Sequence, residues 1–255
     1  MARVGFIGTG AITAAMVKGL AGAGHEIRVS PRNAEIAAAL ANQFAEVSIC
    51  PNDQVVEQSE IVILCLMADV AGAVLPDLPF RADHRVISAM ADVPLAQAKR
   101  LCSPAQDVSV TIPLPSIAVG GSPLPVYPDE QTVTELFGAN NPVILCETED
   151  SLKAHYAAVA TSLPLLALVQ HTRNWLVDLT GDTNGAETYL SAIFASYFND
   201  IARSGTGRLD QVVAELSTTG GLNATVRAAL EREGVPKVLT DALDGLRPRI
   251  GLAGE

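Results

Sequence analysis

The chain has 255 residues, a formal net charge of −11 at pH 7, 49% hydrophobic residues and only 4% aromatic residues. Nucleic-acid binding requires clustered Lys and Arg, so this balance argues against a nucleic-acid partner. Four histidines and four cysteines are dispersed without a metal-ligand spacing or a C-x-x-C pair, which predicts free thiols and no metal site. By its sequence pattern no apolar run reaches the length needed to cross a bilayer and no signal peptide precedes the first strand, so we expect a soluble cytoplasmic protein without a membrane partner.

The first twenty residues predict a buried strand, a tight turn and a helix. The turn carries the spacing Gly8-x-Gly10-x-x-Thr13, which suits a dinucleotide. Gly8 permits the turn, Gly10 lets the backbone approach a pyrophosphate, and the helix start offers unpaired N–H groups to the phosphates. Thr13 replaces the third glycine of the full fingerprint, at a helix-packing position.

The end of the second predicted strand, residues 26–30, selects the cofactor. Enzymes that use NAD usually place Asp or Glu there to bind the ribose hydroxyls. This chain has Ser30 and then Arg32, and an uncharged donor beside a guanidinium favours the 2′-phosphate of NADP. The alternative is that Arg32 is only a solvated surface charge. Asn33 is predicted to cap the helix that follows.

Further strands are predicted at residues 47–49, 61–66, 86–90 and 108–112, with a last one possible within 141–147. A proline-rich stretch from Pro113 to Pro128 interrupts the alternation and cannot form a regular helix. Alternating strands and helices indicate an α/β fold, with a Rossmann-like doubly wound parallel sheet in residues 1–149. The candidate cofactor-binding residues are Gly8, Thr9, Gly10, Ala11, Ile12, Ser30, Arg32, Asn52, Leu66, Met67 and Ala91.

Residues 150–255 predict an all-α domain with helices near 187–203, 209–216, 224–233 and 236–245. The segment 152–168 is apolar on nearly every face, with Pro164 as a break. Such a helix is either deep in a core or shared between subunits, and the domain is small, so we expect an intertwined homodimer. Trp175, the single tryptophan, is predicted to anchor that interface.

The whole chain resembles pyrroline-5-carboxylate reductase, the last enzyme of proline synthesis. The resemblance is carried by residues 5–12 (GFIGTGAI), 30–33 (SPRN), 60–66 (EIVILCL) and 87–92 (ISAMAD), and by Gly220-Gly221 ahead of residues 230–234 (LEREG). It implies a Rossmann-like domain followed by an all-α dimerisation domain, NADP as cofactor and a small imino-acid substrate. It also implies a substrate carboxylate held by the loop of Gly220, Gly221, Leu222 and Asn223.

That loop also departs from the family pattern, because Leu222 and Asn223 stand where the family usually has threonines. Two other family signatures look similarly altered, at residues 112–116 and 161–166, each time with apolar residues for polar ones. We expect the backbone amides of Gly220, Gly221 and Leu222 still to hold a carboxylate. Four hydroxyls could assist at the imine nitrogen, or serve only as caps and packing groups, and no catalytic residue is assigned: Thr161, Ser162, Ser217 and Thr225.

The sequence therefore predicts an NADPH-dependent reductase of a C=N bond, with 1-pyrroline-5-carboxylate to L-proline as the first reaction to consider. One alternative is a divergent reductase of a more apolar imine or keto acid, indicated by Leu114, Leu166 and Leu222. The other is a non-catalytic dimeric protein that binds NADP.

Overall fold

The computed structural model describes residues 1–252. The chain divides into two units, Met1–Tyr156 and Ala157–Glu255, where the sequence analysis placed a boundary after residue 149. The first unit carries the sheet and the second is helical, as predicted.

The first unit is built on one sheet of eight strands in the order β3-β2-β1-β4-β5-β6-β7-β8. The strands β1 to β6 are parallel, β7 is antiparallel to β6, and β8 is parallel to β7. The predicted Rossmann-like doubly wound sheet is therefore confirmed. In chain order the strands are Arg3–Ile7 (β1), Glu26–Val29 (β2), Val47–Ile49 (β3), Ile61–Leu64 (β4), Arg85–Ser88 (β5), Asp107–Thr111 (β6), Leu124–Tyr127 (β7) and Val143–Leu145 (β8).

The strand β7 lies inside the proline-rich stretch, where the sequence predicted no strand. A proline has no N–H to give to a sheet, but its carbonyl still accepts. Here the Thr111 hydroxyl donates to the Pro125 carbonyl at 2.7 Å, while Thr111 pairs with Val126 in the register between β6 and β7. The prolines therefore lower the number of backbone hydrogen bonds between β7 and its neighbours, but a short strand still forms.

Seven helices connect or flank these strands, and the sheet is covered on both faces. Alternate residues of β4 show this, because Ile61 and Ile63 face one core while Val62 and Leu64 face the other. Asn33 caps α2 as predicted, its side chain accepting the Ile36 N–H. The helices are Ala11–Leu20 (α1), Ala34–Gln43 (α2), Asn52–Glu57 (α3), Ala68–Val74 (α4), Leu95–Leu101 (α5), Gln131–Phe137 (α6) and Glu149–Ala158 (α7).

The second unit consists of helices joined by short turns. A 3-10 turn, Val159–Thr161, comes directly before α8, so Pro164 falls in the first turn of that helix, where a proline costs little. A 3-10 turn just before Pro164 therefore stands where a break was predicted, and the chain stays helical through it. The helices are Ser162–Thr180 (α8), Thr183–Ser204 (α9), Arg208–Leu216 (α10), Leu222–Arg232 (α11) and Val235–Asp244 (α12).

Large apolar side chains remain exposed on these helices. Trp175 is 63% exposed, and Leu163 and Leu179 on the same helix, α8, are also exposed. The helical stretch Glu149–Thr180 is long and apolar enough to cross a membrane, by length and composition only. Its most apolar 18-residue segment has a mean hydropathy of 1.4, and 6% of that segment is buried. The expectation that no segment reaches that length was wrong, because the 3-10 turn lets helical structure continue through the predicted break. One such helix is weak support for a membrane span.

One histidine of the first unit, His84, is buried, and its pKa is lowered. The ring of His84 is fully buried, its Nδ1 accepts the Arg81 backbone N–H at 3.0 Å, and it meets the Phe80 ring edge to face. Burial lowers the pKa of His84 below its ordinary value of 6.5, and the Arg81 charge lowers it further, while Asp83 opposes the shift. A proton on Nδ1 would also remove the acceptor that Arg81 uses.

We predict that the free energy of unfolding falls as the pH drops below 6.5. In that range His84 binds a proton in the unfolded chain more readily than in the folded chain, where its pKa is lowered. Burial lowers the pKa of His25 as well, which adds to the effect in the same direction. His84→Asn keeps an acceptor near the Nδ1 position and should flatten the dependence. Urea unfolding at pH 5.5, 6.5 and 7.5 measures this, with the exposed His171→Asn as control. If the free energy of unfolding of His84→Asn depends on pH as steeply as that of the wild type, His84 is not the group responsible.

Candidate cofactor site

The predicted cofactor residues follow strands that run in the same direction. Since β1 to β5 are parallel, the segments after their carboxyl ends lie along one edge of the sheet, where ligands of such sheets bind. The sequence reasoning therefore chose residues that the fold brings to a common edge: Gly8 to Ile12 after β1, Ser30 and Arg32 after β2, Asn52 after β3, Leu66 and Met67 after β4, and Ala91 after β5.

Gly8 makes the tight turn at the end of β1. Its φ is +92°, a conformation that strongly favours glycine. A Cβ atom at this position would also overlap the backbone carbonyl of Cys65, at the end of β4. The turn thus requires a glycine both for its dihedral angle and for its close approach to the neighbouring strand.

Gly10 faces open space instead. It is the N-cap residue of α1, with φ −106°, and apart from its chain neighbours no heavy atom of the described chain lies within 4 Å of a Cβ built on it. No side chain caps this end of α1, so the first amides of the helix point outward without a partner from the cap. The volume over Gly10 together with these amides fits a dinucleotide pyrophosphate, which a side chain at residue 10 would obstruct.

The hydroxyl of Ser30 is directed into the protein. Ser30 is 1% exposed, and its Oγ accepts the Gly8 N–H at 2.9 Å. Thr9, also buried, donates its hydroxyl to the Ser30 carbonyl at 2.5 Å. The Ser30 hydroxyl is thus used within the loop, and its direct contact with the cofactor stays a prediction.

Arg32 is the exposed cation at this corner of the site. It lies two residues after Ser30, and within residues 1–252 no ion pair or hydrogen bond engages its side chain. A free guanidinium next to the end of β2 is suited to a phosphate on the adenosine ribose.

The segment after β4 adds an apolar side to the edge. Met67 is 72% exposed at the start of α4, and Leu66 is half-buried next to it. Burial raises the pKa of the Cys65 thiol to about 11, which favours the protonated thiol at neutral pH. Ala91 is exposed and Asn52, the first residue of α3, is half-buried.

The predicted substrate residues lie together in the second unit, at the start of α11. Gly221 is the N-cap residue, but its N–H donates to the Thr218 carbonyl at 2.9 Å, so that amide is engaged in a turn. This corrects the expectation that the Gly221 amide is free for a carboxylate. Leu222 is 88% exposed and Asn223 is also exposed, whereas Gly220 adopts φ +75°.

Three of the four candidate hydroxyls are used by the backbone. Thr161 donates to the Ala158 carbonyl at 2.7 Å, Ser217 to Val213 at 2.6 Å and Thr225 to Gly221 at 3.0 Å. These bonds are the capping and packing role that the sequence left open as the alternative. No catalytic residue is assigned from them.

The sequence reasoning missed one residue of the loop. The Thr13 hydroxyl donates to the Gly8 carbonyl at 2.5 Å, and Thr13 is fully buried. The available signal was the hydroxyl residue in place of the third glycine, which was interpreted only as a packing change. Among residues 1–252, no three His, Cys, Asp or Glu side chains are grouped to hold a metal.

Residues 3–92 match the family model described as NADP oxidoreductase coenzyme F420-dependent, and no curated protein matches the chain. A pyrroline-5-carboxylate reductase from Coxiella burnetii superposes with a TM-score of 0.83 at 16% identity, over 98% of this chain and 97% of that one. A Plasmodium falciparum pyrroline carboxylate reductase with NADP bound gives 0.78 at 13% identity, over 98% and 97%.

An imine reductase from Pseudomonas sp. gives a TM-score of 0.60 at 16% identity, over 98% of this chain and 95% of that one. At such identities a likeness in structure establishes the fold. The resemblance stated from the sequence is therefore confirmed at that level: the chain has the fold of the pyrroline-5-carboxylate reductases.

Proposed function

We propose that the chain is an NADPH-dependent reductase of a C=N bond, with 1-pyrroline-5-carboxylate to L-proline as the reaction to test first. The observation that carries the proposal is the open space over Gly10, between a glycine turn and the uncapped start of α1. The free guanidinium of Arg32 supports NADP as the cofactor, since the 2′-phosphate needs a cation at the end of β2. The neighbour with NADP bound supports the same choice.

The proposed reaction makes few demands on side chains. When bound, NADPH supplies the hydride that the carbon of a protonated imine accepts. The chain would hold the reacting atoms close together and exclude water from them. No covalent intermediate between the chain and the substrate is required. The amides at the start of α1 would hold the pyrophosphate, and Arg32 would fix the adenosine end. Leu66 and Met67 would present apolar surface at the same edge.

The exposed Leu222 favours a second candidate function. A leucine that is 88% exposed at a predicted carboxylate loop suits an apolar substrate better than an anion, and the engaged Gly221 amide removes one donor. The chain would then reduce a more apolar imine or keto acid. The fold it shares with an imine reductase agrees with this candidate. The third candidate is a non-catalytic protein that binds NADP.

An activity assay separates the three functions. Oxidation of saturating NADPH is followed with pyrroline-5-carboxylate and, separately, with a cyclic imine that lacks the carboxylate. We expect turnover of pyrroline-5-carboxylate, and Leu222→Thr should raise kcat/KM for it about tenfold, as one added charge-assisted hydrogen bond allows. Turnover of the apolar imine alone would favour the second function. Binding of NADPH without turnover of any imine or keto acid would contradict both reductase proposals.

We predict that Arg32→Asp weakens NADPH binding by about 10- to 100-fold and changes NADH binding little, because only NADPH carries the 2′-phosphate that the guanidinium would contact. Isothermal titration with both cofactors measures the difference. Arg100→Asp, at an exposed residue in the last turn of α5, is the matched control for loss of one positive charge. Equal losses for both cofactors would mean that Arg32 does not contact the phosphate.

The second unit supports a homodimer. Its buried apolar residues within the described chain are Ala186, Leu190 and Val212, whereas Trp175 and many other large apolar residues are exposed. A helical unit that buries so little is expected to bury more against a partner, and a second copy of the chain is the partner we propose. A dimeric reductase that uses NADPH and a small imino acid would work in the cytoplasm.

We predict that Trp175→Glu raises the dimer dissociation constant on the order of 100-fold, since a buried aromatic residue at an interface contributes strongly and a carboxylate there would lose its water. Light scattering after gel filtration gives the mass at several protein concentrations. Val119→Glu places the same charge on an exposed apolar residue of the first unit and should leave the mass unchanged. A Trp175→Glu protein that remains fully dimeric at nanomolar concentration would exclude this interface.

A further inference from the structure

Three buried hydroxyls surround the glycine turn, and none of them faces the open space over Gly10. They belong to Thr9, Thr13 and Ser30. We propose that Ser30 and Thr13 are positioning residues, which fix the glycine turn in the shape that receives the pyrophosphate and do not contact the cofactor themselves. The proposal rests on the proposed function, because it concerns how the same site is prepared for its ligand.

Ser30 ties the turn to the neighbouring strand. Its Oγ accepts the Gly8 N–H at 2.9 Å, and its carbonyl accepts the Thr9 hydroxyl at 2.5 Å. The Thr9 and Ser30 hydroxyl oxygens are a further 3.2 Å apart. Two consecutive residues of the turn are thus bonded to a single residue at the end of β2, with all three groups shielded from water.

Thr13 ties the same turn to the helix that follows. Its hydroxyl donates to the Gly8 carbonyl at 2.5 Å, five residues back along the chain. Gly8 therefore has its N–H bonded to the end of β2 and its C=O bonded to the first turn of α1. A glycine at residue 13, as in the usual fingerprint, would leave that carbonyl without this partner.

These bonds leave the turn with one conformation before any ligand arrives. A glycine-rich loop loses much conformational entropy when it is ordered, so a loop that is already held binds its ligand at lower cost. The pyrophosphate is common to NADPH and NADH. Loss of a positioning bond should therefore weaken both cofactors by the same factor, unlike loss of a contact to the 2′-phosphate.

The test compares Ser30→Ala, Thr13→Val and Thr13→Ser. Valine keeps the shape of threonine and removes the hydroxyl, while serine restores it. We expect Ser30→Ala and Thr13→Val each to raise the dissociation constants of NADPH and NADH by about tenfold, with Thr13→Ser close to the wild type. A selective loss of NADPH binding in Ser30→Ala would overturn the proposal, because Ser30 would then contact the 2′-phosphate.

A second measurement needs no cofactor. Hydrogen exchange of the Gly8 amide in the unliganded protein should be slow in the wild type and markedly faster in Ser30→Ala, with amides of β4 unchanged as the internal control for global unfolding. Unchanged exchange in both Ser30→Ala and Thr13→Val would overturn the positioning role. If the wild type binds neither cofactor, the proposed function fails, while the exchange rates still show whether the hydroxyls hold the turn.

Discussion

The carboxyl edge of the sheet depends on the close contact between the turn after β1 and the end of β4. Gly8 passes so near the Cys65 carbonyl that a Cβ atom has no room, and its positive φ sends the chain at once into α1. That contact exists because β1 and β4 are adjacent parallel strands buried on both faces. The position of α1, and with it the space over Gly10, follows from this one turn.

The two units differ in how they are stabilised. In the first unit, every residue of β4 is fully buried, and helices cover both faces of the sheet. In the second unit, α8 and α11 contain no buried residue in the described chain, and Trp175 and Leu222 are largely exposed. The first unit thus has its own core, whereas the second leaves much apolar surface exposed. The proposed dimer would bury Trp175 of that surface, and the alternative apolar substrate would contact Leu222.

Most of the sheet could be predicted from the sequence because strands and turns leave local, periodic patterns of residues. Apolar runs marked β1 and β4, and the glycine spacing marked the turn between β1 and α1. The prediction failed at β7, where prolines conceal a strand that is held by pairing with β6, a contact remote in sequence. A strand specified by its neighbour leaves little pattern of its own.

The candidate site was predictable in its location but not in the direction of its side chains. Topology alone places the residues after β1 to β5 at one edge. Whether Ser30 faces the ligand or the protein depends on the Gly8 amide 2.9 Å from its hydroxyl, and no sequence spacing encodes that contact. The same holds for Gly221, whose amide is used by a turn that the string Thr-Thr-Gly-Gly does not reveal.

Gly10→Ala tests whether the space over Gly10 receives the pyrophosphate of the cofactor. With φ −106° and no atom beyond its chain neighbours within 4 Å of the new methyl group, the variant should fold, with only a small drop in melting temperature because alanine is a poorer N-cap than glycine. Titration calorimetry should then show NADPH binding weakened by at least about tenfold, because the methyl group occupies the ligand's space. A Gly10→Ala protein that binds NADPH as tightly as the wild type would show that the pyrophosphate does not occupy this space.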